Sequence, residues 1–179
     1  MFIVGNINQQ FDGLNLGCHD IHIRGFLNVD IDPATNPQLC CNALEIEKFV
    51  TGQVHQIYCG HFLEHLSHED GADLLQVCRR LLAPYGILTV VVPAWKKAMN
   101  MADIREIEKI VLNDGQHKRL FDMELLLHEL ETAGFPEIHE VNTMNLRHCL
   151  FPNEPFQISA IAINYPPVEF RGIEGNPIP

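Results

Sequence analysis

The sequence predicts an α/β domain built on a largely parallel sheet. Three observations carry this reading. Short apolar runs alternate with helical patterns along the chain, as layered α/β domains require. The clearest run, Ile87–Val92 (ILTVVV), is unbroken in its apolar character, which suits a central strand buried on both faces. The chain also carries no internal repeat, low-complexity block or Ser/Gly linker. At 179 residues it is expected to form a single domain over 1–179, with its core over about 14–164 and an irregular, proline-rich tail over 165–179.

Taken in order, Leu14–Cys18 (LNLGC) predicts a short strand that ends in a loop, and Phe26–Ile31 (FLNVDI) a β-branched strand that ends in acid. Gln56–Cys59 is the third strand and Ile87–Val92 the fourth. Ser67 is placed to cap a helix with Glu69 and Asp70 in its first turn. Leu74, Leu75, Val77, Cys78, Leu81 and Leu82 recur at helical spacing until Pro84 stops the run. A weaker amphipathic helix over 97–112 ends at Asn113-Asp114-Gly115. Asp122 caps another helix, with Gly134 just past its end. Ile138–Val141 and Phe156–Asn164 predict two closing strands, read as an antiparallel pair. Only about seven residues separate Cys18 from Phe26, which is short for a parallel crossover.

Composition narrows the function. An apolar fraction of 46% with 20% charged residues is that of a soluble globular protein. The net charge of −11 repels phosphates and anionic headgroups, so neither nucleic acid nor membrane is an expected partner. No apolar run approaches a membrane span, and the N-terminus MFIVGNINQQ lacks the features of an export signal. The six cysteines form no C-x-x-C pair and read as reduced, packed thiols of a cytoplasmic protein. Ten histidines, with His61, His65 and His68 close together, keep a metal site open.

Several landmarks then fall in a fixed order: LNLGC at 14–18, GFLNVDID at 25–32, NAL at 42–44, IYCGHFLEHL at 57–66, RRLLAPYGILTVVVP at 79–93 and HKRLFD at 117–122. In this the chain resembles the class I S-adenosylmethionine-dependent methyltransferases, specifically the small type 11-like ones. The resemblance implies a Rossmann-like three-layer αβα sandwich, its sheet mostly parallel with an antiparallel C-terminal strand. It implies S-adenosylmethionine (SAM) as cofactor, bound by Gly17, Cys18, His19, Asp30, Ile31, Asn42, Ala43 and Gly60. Independently of any family, a glycine at a strand end lets backbone approach a ligand, and a carboxylate at Asp30 can accept from both hydroxyls of a ribose. Ile31 is placed to cover an adenine face.

Three positions depart from the family pattern. His19 stands where a second glycine is usual, so its ring must turn away, contact the methionine carboxylate or occlude the cleft. Tyr85 replaces a glycine of the turn before the fourth strand, and Asn42 stands for an aspartate.

The stretch His61-x-x-Glu64-His65 admits three chemistries. As part of the resemblance, His61 faces the acceptor as base or contact, with His117 second, because methyl transfer from a sulfonium needs positioning and proton removal above all. No metal is the leading expectation. If one binds, His61, Glu64 and His65 hold it, with His117 as a further ligand, in a divalent-metal-assisted O-methyltransferase. A zinc peptidase would need the pattern inside a helix and a further ligand. The resulting expectation is a cytoplasmic methyltransferase acting on a small-molecule acceptor, as a monomer or homodimer. The alternative is a non-catalytic binding or scaffold module in which His19 has ended cofactor affinity.

Overall fold

In the computed structural model, residues 4–6, 11–100, 103–142 and 156–166 are described. Seven strands form one sheet: β2 (Gly13–Leu16), β3 (Phe26–Asp30), β4 (Leu39–Cys40), β6 (Val54–Gly60), β7 (Leu82–Pro93), β8 (Glu137–Val141) and β9 (Gln157–Asn164). Their order is β4-β3-β2-β6-β7-β9-β8. β9 pairs antiparallel with both β7 and β8, and every other pairing in this sheet is parallel. A separate parallel pair joins β1 (Val4–Asn6) to β5 (Val50–Thr51). This is the expected α/β architecture, with the C-terminal strand reversed.

Alternation along the strands sorts the core. Leu14 and Leu16, Leu27 and Val29, Ile57 and Cys59, Leu88, Val90 and Val92, and Ile158, Ala160 and Ala162 belong to one cluster. It includes Leu74, Leu75 and Cys78 of α1 (His68–Leu81) and Leu126 and Leu130 of α4 (Met123–Thr132). Each such leucine contributes about 1.5–3 kcal/mol by leaving water. The alternate positions Phe26, Tyr58 and Val91 form a second, smaller cluster with Ile23.

Ile23 lies in the short crossover, which makes its turn without a helix. Two buried asparagines supply the hydrogen bonds that a helix would otherwise satisfy internally. Asn15 Nδ2 donates to the Ile21 carbonyl at 2.9 Å and to Asn28 Oδ1 at 2.8 Å. Asn28 Oδ1 accepts from the Ile23 amide at 2.8 Å, and its Nδ2 donates to the Ile23 and Phe26 carbonyls at 3.2 Å. The third layer over β2 and β3 is therefore a loop.

The helix signals read from sequence are in place. Ser67 Oγ accepts from the Asp70 amide at 3.0 Å, Asp122 Oδ1 from Leu125 at 2.9 Å, and Gly134 takes φ +89° after α4. Some boundaries differ. α1 ends at Leu81 and β7 begins at once, because Leu82 is already extended, so Pro84 lies inside the strand. The helix expected over 97–112 is two pieces, α2 (Trp95–Ala98) and α3 (Ile104–Leu112), the latter capped by Asp103 and closed by Asn113 at φ 43°. Five cysteines are described and all are free thiols, four of them buried; Cys149 and most of the tail lie outside the described residues. No helix among the described residues is long and apolar enough to cross a membrane.

Candidate active site

The sequence of strands turns back between β2 and β6: the chain moves outward from β2 to β3 and β4, then returns to β6 on the other side of β2. In an open α/β sheet the crevice beyond the carboxyl ends at such a switch point is where ligands bind. Gly17, Cys18 and His19 follow β2, Asp30 and Ile31 end β3, Asn42 and Ala43 follow β4, and Gly60 and His61 end β6. The topology thus gathers the sequence-derived candidates along one edge of the sheet.

On the β2–β3–β4 side the geometry is set by backbone. Gly17 takes φ +65°, and the place of its missing side chain is filled by the Phe62 ring. His19 is also left-handed, at φ 45°, a conformation that costs a non-glycine residue roughly 1–2 kcal/mol. Its ring turns outward to Asp20 Oδ1, 2.7 Å away, and is 77% exposed. That contact raises the His19 pKa. Of the three orientations open in the sequence, the outward one is adopted, and the backbone amide does the local work. It donates to Asp30 Oδ2 at 2.7 Å, while the Asp32 amide donates to Oδ1 at 2.9 Å. Asp30 is thereby held by one bond on each oxygen, with lone pairs remaining for hydroxyl donors. Ile31 beside it is 68% exposed. Asn42 caps the 3₁₀ turn Ala43–Lys48 through its side-chain oxygen, which accepts from the Leu44 amide at 3.0 Å.

On the β6–β7 side, side chains and backbone together set the geometry. His61 adopts φ 52°, its amide tied to the Val91 carbonyl at 2.8 Å and its Nε2 3.0 Å from Gln157 Oε1 on β9. A bulky residue held at positive φ is strain of the kind that collects at functional sites. Leu63–His65 forms one 3₁₀ turn. Glu64 is 1% exposed, with its Oε1 3.6 Å from His61 Nδ1 and 3.9 Å from His117 Nε2, and neither oxygen has a hydrogen-bond partner among the described residues. Burial pushes its pKa up to about 8. His117 arrives from a distant loop, because the Lys118 and Arg119 amides donate to the Glu64 carbonyl at 2.8 and 3.2 Å.

The two remaining imidazoles are oriented alike. His65 Nδ1 lies 3.2 Å from the Gln116 carbonyl, and His117 Nδ1 lies 3.2 Å from the Val111 carbonyl. A carbonyl only accepts, so each Nδ1 carries the proton and each Nε2 the lone pair. The rings meet edge to face at 4.8 Å, and burial lowers the His65 pKa. Ligand atoms of Glu64, His65 and His117 lie within 4.8 Å of one another. Of the residues that would hold a metal if one binds, Glu64, His65 and His117 have their ligand atoms together, while His61 keeps Nδ1 3.6 Å from Glu64 Oε1 and turns Nε2 to Gln157. Sequence reasoning missed Gln157, although a glutamine opening the apolar run QISAIAIN was a visible break in pattern. It also missed Phe62, whose contact with Gly17 is tertiary.

A shallow cavity of about 670 Å³ opens elsewhere, between Gln53, Arg79, Gly134 and Asn164. It lies where β7 begins, at the end of the sheet opposite the candidate site, and is lined by none of the candidate site residues.

No protein-family profile and no curated protein matches the chain. Solved structures do match. A SAM-dependent methyltransferase from Archaeoglobus fulgidus aligns over 88% of this chain and 87% of its own, with a TM-score of 0.63 and 17% identity. The plantazolicin methyltransferase BamL, in complex with a desmethyl analogue and SAH, aligns over 86% and 77%, with a TM-score of 0.63 and 15% identity. A Bordetella parapertussis protein described as a possible exported protein aligns over 89% of this chain at 12% identity and a TM-score of 0.62; the chain spans 65% of its length. The fold is that of the class I SAM-dependent methyltransferases.

Proposed function

We propose that this protein is a SAM-dependent methyltransferase acting on a small-molecule acceptor. The observation that carries the reading is Asp30, a carboxylate fixed by two backbone amides at the sheet's switch point, beside an uncovered Ile31. Those groups suit a ribose and an adenine face, with Gly17, Cys18, His19, Asn42, Ala43 and Gly60 completing the rim. The bound cofactor would supply an activated methyl on a sulfonium. The protein's part is then to orient the acceptor and take its proton. His61 is the candidate for this: with Nε2 donating to Gln157, its Nδ1 carries the lone pair, 3.6 Å from Glu64 Oε1. A net charge of −11 disfavours polyanionic acceptors and so favours a small molecule; a cytoplasmic monomer or homodimer completes the proposal.

One specific observation favours a second reading, in which a divalent metal assists. Glu64 is a buried carboxylate without a hydrogen-bond partner among the described residues, and two imidazoles stand beside it with Nδ1 committed to backbone carbonyls. Metal-ligating histidines show the same arrangement. Glu64, His65 and His117 would hold zinc or manganese, whose chemistry there would be to polarise an acceptor oxygen.

Photocrosslinking with radiolabelled SAM tests the first reading. Label is expected in the peptides that carry Gly17–His19 and Asp30–Ile31. Label confined to other peptides would count against it. Equilibrium dialysis against zinc or manganese tests the second: wild type is expected to retain metal and Glu64→Gln to lose it. Equal retention would remove the metal.

A further inference from the structure

Two residues past His117, the same loop buries a second charge that the chemistry above leaves unused. The Arg119 side chain is 9% exposed and pairs with Glu129 of α4, 8% exposed. Its guanidinium lies over the Phe121 ring, 4.6 Å from the centroid, and against Gly71 of α1, where any Cβ would run into Nη1. His68 at the start of α1 reaches the same glutamate, Nδ1 to Oε1 3.5 Å.

Stability alone is a weak reason for such a pair, since a buried ion pair gains little over well-packed apolar residues. Its hydrogen bonding is also incomplete, because Arg119 Nη1 and Glu129 Oε2 have no partner among the described residues. Geometry gives a better reason. The backbone of Lys118 and Arg119 is the strip that donates twice to the Glu64 carbonyl, and His117 directly precedes it. We propose that Arg119 is a positioning residue. Clamped between Glu129, Phe121 and the bare face of α1 at Gly71, it fixes the strip that delivers His117 to Glu64 and His65. The proposal rests on the reading of Glu64, His65 and His117 as one functional cluster. A planar guanidinium can pair at its edge and stack on its face together, which an ammonium cannot. Gly71 matters because a side chain there would displace the guanidinium without touching Glu64, His65 or His117.

The test is nuclear Overhauser spectroscopy on metal-free, histidine-labelled protein, reading the cross-peak between the His65 and His117 rings. Wild type is expected to show it. Arg119→Met and Gly71→Ala are expected to lose it while sheet amide shifts stay in place, and Arg119→Lys to keep it only in part. Alanine favours helix over glycine, so Gly71→Ala is the milder of the two variants, and sheet amide shifts report whether each is folded. A cross-peak of wild-type strength in Gly71→Ala, or in a folded Arg119→Met, overturns the proposal. A parallel cobalt titration keeps the two readings apart. If wild type takes up cobalt, Gly71→Ala is expected to bind it roughly tenfold more weakly. If wild type takes up none but the cross-peak behaves as expected, the metal reading falls and the positioning role stands.

Discussion

The two sides of the cleft differ in how far they are desolvated. Around β2, β3 and β4 the groups are exposed and aimed by backbone: Asp30 by two amides, Asn42 by a cap, and His19 with its ring in solvent. Around β6 and β7 they gather on a buried carboxylate, with Glu64 beside partly buried imidazoles, His65 and His117 oriented by backbone carbonyls and His61 set by a residue 96 positions away. An open, backbone-set surface suits reversible binding of a polar cofactor. A desolvated cluster holds charge at a cost and releases that cost to whatever satisfies it. The contrast separates binding from chemistry, and substitutions on one side are expected to leave the other largely intact.

The largest effect is expected from His61. Its replacement by alanine should lower turnover of an acceptor by roughly 10²–10⁴-fold, the range for a general base, with cofactor affinity unchanged in the same preparation. A parallel loss of affinity would show that the two sides are not separable. Gln157→Leu should reproduce part of the turnover loss by freeing the ring, measured in the same steady-state assay.

The buried carboxylate gives a pH signature. Glu64 titrates near 8 in the folded chain against an ordinary 4.5, so between those values the folded state holds the extra proton. Stability from this group is complete below pH 4.5 and is lost as pH rises through about 8. His65 works in the opposite sense, but only below its ordinary value of 6.5. From pH 6.5 to 8 the metal-free protein should therefore lose stability, by at most about 1.4 kcal/mol per pH unit from this one group. Glu64→Gln should flatten that slope in urea titrations. An unchanged slope would place the proton elsewhere.

The smallest effect is expected at His19. Glycine relieves the positive φ but loosens the unfolded chain, so His19→Gly should shift stability by no more than about 1 kcal/mol. Because the ring faces solvent, cofactor affinity should stay the same. A large gain in affinity would mean that the imidazole folds back over the cleft.

These contrasts also explain what could be read in the sequence. The apolar runs in LNLGC, FLNVDI and ILTVVV report local burial, so the main parallel strands and their acidic or glycine ends were legible. β4 has two residues, too few to show a period, and the break between α2 and α3 falls inside a pattern that remained helical. Ser67, Asp122 and Gly134 were legible because a cap acts within a few residues. The pairing of His61 with Gln157, the clamp on Arg119 and the arrival of His117 at Glu64 are tertiary. Each joins segments whose spacing carries no local signal. His19 shows the converse: its identity was plain, but the direction of its ring depended on a φ that sequence does not display.

Calorimetric titration with S-adenosylmethionine and S-adenosylhomocysteine, in wild type and Asp30→Ala, tests the central claim most directly. Wild type should bind both ligands, and Asp30→Ala, still folded by circular dichroism, should bind them at least roughly tenfold more weakly, the equivalent of a lost charge-assisted hydrogen bond. No heat of binding from well-folded wild type at millimolar ligand, or equal affinity in the two proteins, would contradict the account.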